Sequence, residues 1–325
     1  MNVCIYGAGA IGGWIGSGLA RAGCSVGMVA RGATLDALQR HGLRVRQDGR
    51  VASQAATFSA VPADFGVQDL VVLAVKAPSL PDIARQIAPL IGPDTIVMTA
   101  MNGVPWWFLN DFGGALAGTR LRSIDPDGAL TAAIPAQHLV GCVVHASCSL
   151  DGPGLARHHF GNKLIIGEPS GQKTLRVLQL AALLEQAGFE APVSSQIQND
   201  IWFKLWGNMT VNPISALTGA TTDLIINDDL VRGFTSSVML EAKEIGARLG
   251  IVIDQLPDDR HAVTRKLGAF KTSMLQDVEA GKPVELDALV TAVKELGALT
   301  GVPTPFTDAL LGLARLQAQG LGLYR

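Results

Sequence analysis

Residues 2–23 read NVCIYGAGAIGGWIGSGLARAG, and no charged side chain occurs before Arg21. The stretch is apolar enough to raise the question of a membrane span or an export signal. A spanning helix needs about 20 mostly apolar residues. Here Gly7, Gly9, Gly12, Gly13, Gly16 and Gly18 interrupt it, and each interior helix glycine costs about 1 kcal/mol relative to alanine. A secretory signal begins with a positive region, and no Lys or Arg precedes Arg21. The segment therefore reads as part of the folded protein. Divided differently, NVCIY is a buried strand, GAGAIG a turn, and the following residues a helix ending near Gly23. Gly7, Gly9 and Gly12 fit the G-x-G-x-x-G pattern that sits between the first strand and first helix of dinucleotide-binding folds. The first glycine permits the turn, the second lets backbone approach a pyrophosphate, and the third lets helix pack on strand. The N–H groups of Ala10, Ile11 and Gly12 then face the phosphates at the positive end of the helix dipole.

The alternation continues outward from that stretch. SVGMVA (residues 25–30) is a second strand, followed by Arg31, with no acid until Asp36. An acid near that strand end suits the ribose hydroxyls of NAD, whereas an Arg suits the 2′-phosphate of NADP, so NADP(H) is the expected cofactor. LRVRQDGRV and QAATFSA look like a hairpin-like excursion turning near Asp48-Gly49. DLVVLAVKA is a continuous apolar run, as in a strand buried on both faces, with Lys76 at its carboxyl end. The helical segment 79–91 and strand 95–104 follow, the strand carrying Asn102-Gly103 at its end. Residues 143–168 read as hairpin strands, 172–188 as a helix and 190–195 as a short strand. From about Ile197 only helical periodicity remains. The expected architecture is α/β: an N-terminal Rossmann-type doubly wound sheet over residues 1–195 and an all-helical domain over 196–325, with the gap between them as the default active site. Along residues 228–250, Leu230, Phe234, Val238, Leu240, Ile245 and Leu249 are assigned to a core face. The helix opening the second domain is expected to reach Pro213.

Composition limits the function classes. The 325 residues are 48% hydrophobic and 17% charged, with a formal net charge of -2. That favours large buried cores and offers no global field for nucleic acid or an anionic membrane. Cys4, Cys24, Cys142 and Cys148 lack metal-ligand spacing, and the adjacent His158 and His159 point apart on a strand, so no metal site is expected. The cysteines read as core residues of a reducing cytoplasm. The apolar C-terminal helices serve a homodimer or an internal core equally well.

Within NDIWFKLWGNMTVNP, Lys204, Asn208 and Asn212 recur every fourth residue, so the three share one stripe of an otherwise apolar helix. Buried polar groups without partners cost about 1–3 kcal/mol each, so such a stripe calls for a ligand or an exposed face. Further on, TSMLQD contains Ser273, and Glu285 follows twelve residues later, after Pro283. In their order along the chain, GAGAIG, VARG, VKA at Lys76, Asn102-Gly103, NDIWFKLWGNMTVNPISALT and TSMLQD with Glu285 resemble the ketopantoate reductase family. The resemblance implies NADPH-dependent reduction of a 2-oxo acid to a 2-hydroxy acid, with a paralogous oxo-acid reductase or a non-catalytic NADP(H)-binding sensor as alternatives. It implies that Lys204 is the general acid and that Asn102 places nicotinamide and substrate. By the same likeness Asn208 and Asn212 bind the substrate's hydroxyl and carboxylate side. Ser273 contacts its carboxylate, Glu285 holds its far hydroxyl and pairs with Lys204, and Lys76 lies near the nicotinamide end. A lysine suits the acid role when burial lowers its pKa from about 10.4 toward neutrality. Two departures, Trp106-Trp107 after the Asn-Gly element and Phe270 three residues before Ser273, would make the pocket more apolar.

Overall fold

Asn2–Tyr6 forms strand β1, its last four residues buried. Around it the computed structural model describes residues 1–324, in two units: Met1–Met101 with Gly128–Ile197, and Asn102–Asp127 with the chain from Gln198 onward.

In the first unit β1 leads into α1 (Ala10–Arg21), β2 (Ser25–Val29), α2 (Gly32–His41), β3 (Leu43–Gln47), β4 (Arg50–Gln54), β5 (Thr57–Ser59), β6 (Leu70–Leu73), α3 (Leu80–Gln86), β7 (Ile96–Ala100), α4 (Ala129–Ala133), β8 (Leu139–Gly152), β9 (Leu155–Gly167) and α5 (Leu175–Gln186). One nine-stranded sheet results, in the order β4-β3-β9-β8-β7-β6-β1-β2-β5. Strands β5, β2, β1, β6, β7 and β8 run parallel. Tyr6 lies opposite both Val29 and Leu73, so the carboxyl ends of three central strands are level and the loops after them emerge together. β3 and β4 form the expected hairpin, turning at Asp48-Gly49. QAATFSA does not join it: Thr57–Ser59 pairs parallel with β2 at the far edge of the sheet. Helix α1 packs through Trp14, which stacks on His158 at 5.3 Å and meets Phe189 edge-on at 4.8 Å. His159 instead bonds Ser149, so the two histidines do point apart. The expected helix over 79–91 is broken, because prolines in the flanking Ala77–Ser79 and Ala88–Leu90 leave short 3-10 turns around α3.

The second unit holds α6 (Ile197–Thr218), α7 (Thr222–Asn227), α8 (Asp229–Arg248), α9 (Pro257–Arg265), α10 (Ser273–Glu279), a π turn (Asp287–Thr291) running into α11 (Ala292–Thr300), and α12 (Pro305–Gly320). Helix α6 does not stop at Pro213. The missing N–H costs one backbone bond, but residues 211–216 are all buried and packing outweighs that loss. On α8 the buried face is Thr235, Val238, Met239, Ala242, Ile245 and Gly246. Leu230 and Leu240, assigned to the core from the sequence, are 86% and 52% exposed. Leu240 lies about 200° around the helix from Val238, so the two cannot share a face.

Sequence order places residues 102–127 with the sheet, but their contacts lie with the helices. Gln198 donates to the carbonyl of Phe108 at 3.3 Å, and the Phe108 ring meets Trp202 at 5.8 Å. The N–H groups of Arg122 and Ser123 both donate to the Glu295 carboxylate, at 2.7 and 2.9 Å. Among the described residues no helix is long and apolar enough to cross a membrane, and no cluster of three potential metal ligands occurs.

Candidate active site

The glycine turn has the shape a phosphate group needs. Gly7 has φ +108, and a Cβ there would lie 2.6 Å from the carbonyl of Ala74. A Cβ at Gly12 would lie 1.9 Å from the carbonyl of Gly7, so the turn itself demands both glycines. At Gly9 a Cβ would meet no protein atom within 4 Å. The fold therefore does not require glycine at that position, and its absent side chain leaves open space beside the start of α1. Gly9 is the N-cap of that helix and supplies no side-chain cap, so the first N–H groups, those of Ala10, Ile11 and Gly12, remain for a ligand. Arg31 stands at the N-cap position of α2 with no side-chain capping bond, and is about half exposed. Its guanidinium meets Asp82 at 3.3 Å. Exposed as it is, that pair is weak and leaves the guanidinium able to take a phosphate. Lys76 follows β6 and is half-buried, with a buried ammonium nitrogen. These residues fit a dinucleotide at the carboxyl ends of the parallel strands.

The second unit carries Lys204, Asn208 and Asn212 on α6 and brings Asn102 to the first of them. Two tryptophans set the rotation of α6: Trp206 Nε1 donates to the carbonyl of Met239 at 2.7 Å and Trp202 Nε1 to that of Ala242 at 3.2 Å, both on α8. Lys204 and Asn208 stand two residues beyond each tryptophan, about 200° around the helix, and so face away from α8. Lys204 Nζ donates to Asn102 Oδ1 at 2.8 Å. Asn208 is half-buried and Asn212 is only 6% exposed. Among the described residues neither amide has a hydrogen-bond partner. They are donors and acceptors held out of bulk water and unclaimed by the protein.

Asn102 owes its place to its neighbour. Gly103 has φ +82, and its would-be Cβ lies 2.5 Å from the carbonyl oxygen of Ala288. That same oxygen accepts the N–H of Val104 at 2.8 Å. Ala288 sits in the π turn, and Glu285, 8% exposed, lies just before it, its carbonyl accepting the N–H of Leu289. One short segment thus carries Glu285 and anchors the loop that presents Asn102 to Lys204. Ser273 is the first residue of α10, exposed, and hydrogen-bonds none of the other candidates; Thr272 caps that helix. Trp106 and Trp107 are 3% and 1% exposed and Phe270 is half-buried.

One residue escaped the sequence reading. Arg260 lies over the Phe203 ring at 5.6 Å, beside the turn of α6 that carries Lys204. Burial pushes its pKa below the ordinary arginine value. Its only sequence signal is a basic residue in the otherwise acidic start of α9, which looks like a solvated surface.

Two models of known families match the chain: "Ketopantoate reductase PanE/ApbA" over residues 3–171 and "Ketopantoate reductase PanE/ApbA C terminal" over residues 196–318. The chain belongs to the ketopantoate reductase family. A 2-dehydropantoate 2-reductase of Mesorhizobium japonicum is 47% identical over 325 residues, covering 100% of both chains. Among solved structures, one from Ralstonia solanacearum, assigned provisionally to the ketopantoate reductases, is 54% identical with a TM-score of 0.96, covering 99% of each chain. A 2-dehydropantoate 2-reductase from Geobacter metallireducens is 26% identical with a TM-score of 0.86, covering 98% of this chain and 100% of that one. As a ketopantoate reductase family member the chain is an oxidoreductase of the class acting on CH–OH groups, built from a Rossmann-type unit and a helical unit.

Proposed function

We propose that this protein reduces a 2-oxo acid, 2-dehydropantoate by likeness to its relatives, to the 2-hydroxy acid at the expense of NADPH. The observation that carries the reading is Lys204 Nζ held 2.8 Å from Asn102 Oδ1, on a helix whose next two turns offer the unpartnered amides of Asn208 and Asn212. When bound, NADPH supplies the hydride that reaches the ketone carbon. Gly7, Gly9 and the N–H groups of Ala10, Ile11 and Gly12 would hold the pyrophosphate, Arg31 the 2′-phosphate, and Lys76 the nicotinamide end.

The rest of the chemistry belongs to the protein. Negative charge grows on the ketone oxygen as the hydride arrives, and an ammonium beside it lowers the energy of that charge before any proton moves. Lys204 then donates its proton to the alkoxide, giving the hydroxyl, and is reprotonated from solvent afterwards. Asn102 orients the ammonium through its side-chain oxygen, limiting the rotamers of a long flexible side chain. Asn208 and Asn212 grip the substrate with directional bonds, Ser273 adds a hydroxyl toward its carboxylate, and Glu285 accepts from its distal hydroxyl. The test is the loss of NADPH absorbance with a panel of 2-oxo acids. Turnover that favours 2-dehydropantoate supports the reading. Turnover only of other oxo acids moves the substrate to a paralogous class, and NADPH binding without turnover of any of them refutes the reading.

A further inference from the structure

The residues so far assigned to the substrate leave its charge unmatched. A 2-oxo acid carries a carboxylate on the carbon next to the ketone. Lys204 and Glu285 together sum to zero, and Asn208, Asn212 and Ser273 are neutral. A monoanion moved from water into a half-buried site needs a cation beside it.

Arg260 has the position and the electrostatics for that task. Its guanidinium lies over the ring of Phe203, the residue before Lys204, at 5.6 Å. It also fills the notch at Gly207, the residue before Asn208: a Cβ there would lie 2.6 Å from Arg260 Nε, 2.8 Å from Nη2 and 3.1 Å from Cζ. Residues three apart on a helix are surface neighbours, about 5–6 Å between Cβ positions. The guanidinium therefore lies alongside the turn that joins Lys204 to Asn208. Among the described residues no carboxylate pairs with it, its Nε is buried without a partner, and its Nη groups have no protein acceptor either. A guanidinium held partly out of water and left unpaired costs stability, and a planar carboxylate is its natural partner, taken by two parallel N–H···O bonds. Glycine at 207 is the device that admits it, since any larger residue in the middle of α6 would push the guanidinium off the helix.

Building on the function proposed above, we propose that Arg260, seated in the Gly207 notch against Phe203, binds the carboxylate of the 2-oxo acid and selects acids over their neutral analogues. The experiment measures kcat and KM for 2-dehydropantoate and for its methyl ester with wild type, Arg260→Gln and Gly207→Ala. Arg260→Gln should raise KM for the acid about 10- to 100-fold, the size of one charge-assisted pair. KM for the ester and for NADPH should stay within about twofold, because the ester has no charge to lose. A merely structural arginine would change acid and ester together, so an unaltered acid-to-ester ratio overturns the proposal. Gly207→Ala guards against misfolding of the first variant: alanine favours the helix, yet its methyl displaces the guanidinium, so the same acid-selective loss is expected in a protein that melts no lower than wild type. A wild-type acid-to-ester ratio in a folded Gly207→Ala protein overturns the notch as the seat. Should the wild type reduce no oxo acid at all, the functional reading fails separately. Calorimetric titration with pyruvate then decides the inference: weaker binding to Arg260→Gln supports it, and equal or absent binding to both proteins overturns it.

Discussion

Replacing Gly103 by alanine tests how the active-site geometry is built, because this residue touches no expected ligand. Two costs follow from the structure. The backbone there has φ +82, a conformation that costs an L-residue about 1–2 kcal/mol. The new methyl would also start 2.5 Å from the Ala288 carbonyl oxygen, where an ordinary contact begins at 3.4 Å, so loop and π turn must separate by about 0.9 Å. That movement stretches the Val104 N–H bond to the same oxygen beyond its present 2.8 Å, forfeiting about 0.5–1.5 kcal/mol. The expected loss of stability is about 2–3 kcal/mol, read from urea unfolding. The kinetic effect should be larger than the stability effect suggests. Asn102 moves with the loop, and a displacement of about 1 Å in a positioned catalytic group costs on the order of 100-fold. Under saturating NADPH, kcat should therefore fall about 100-fold while the protein stays folded. A Gly103→Ala enzyme with kcat within about threefold of wild type would refute the claim that the Ala288 contact positions Asn102.

Other perturbations separate the remaining parts. Asn212→Leu removes a buried amide that the protein does not use, so stability should hold or rise by up to about 1 kcal/mol while KM for the oxo acid rises about tenfold or more; a clear drop in melting temperature would mean the amide is structurally employed. Arg31→Ala should raise KM for NADPH about tenfold or more and leave KM for NADH nearly unchanged, and equal effects on both would remove Arg31 from the 2′-phosphate. His261 is 2% exposed and accepts or donates at Ser236 Oγ over 2.9 Å. Burial holds its pKa below the usual 6.5, the nearby Arg232 and Arg265 add to that, and Asp258 opposes it. The unfolded chain then takes up the proton first, so the contribution of His261 to stability is complete above 6.5 and declines as the pH falls toward its folded pKa. Melting temperature should drop between about pH 7.5 and pH 5.5, and His261→Asn should flatten that drop; an identical slope in the variant counts against the assignment.

The elements that carry the proposed site were legible because their signals are local. The strand–turn–helix around Gly7, Gly9 and Gly12, and the fourfold spacing of Lys204, Asn208 and Asn212, are properties of neighbouring residues, and both survive in three dimensions. What the sequence hid depends on partners distant along the chain. Nothing in MNGVPWWFL announces that residues 102–127 leave the sheet for the helices, since the Glu295 carboxylate and Ala288 carbonyl that hold them lie far downstream. Pro213 reads as a helix stop because the rule is local and the burial that overrides it is not. Leu230 and Leu240 read as core because any leucine on an amphipathic helix does, whereas burial follows the angle actually presented to α11 and α12. Arg260 was invisible for the same reason: its meaning comes from Gly207 and Phe203, more than fifty residues earlier.

The most direct measurement is pre-steady-state and steady-state reduction of 2-dehydropantoate by Lys204→Ala, with NADPH affinity and circular dichroism recorded on the same protein. With the ammonium gone and Asn102 left facing an empty position, kcat should fall by about 10²–10⁴ while NADPH binding and fold are retained. A folded Lys204→Ala enzyme that keeps kcat within about tenfold of wild type would contradict the assignment of Lys204 as proton donor.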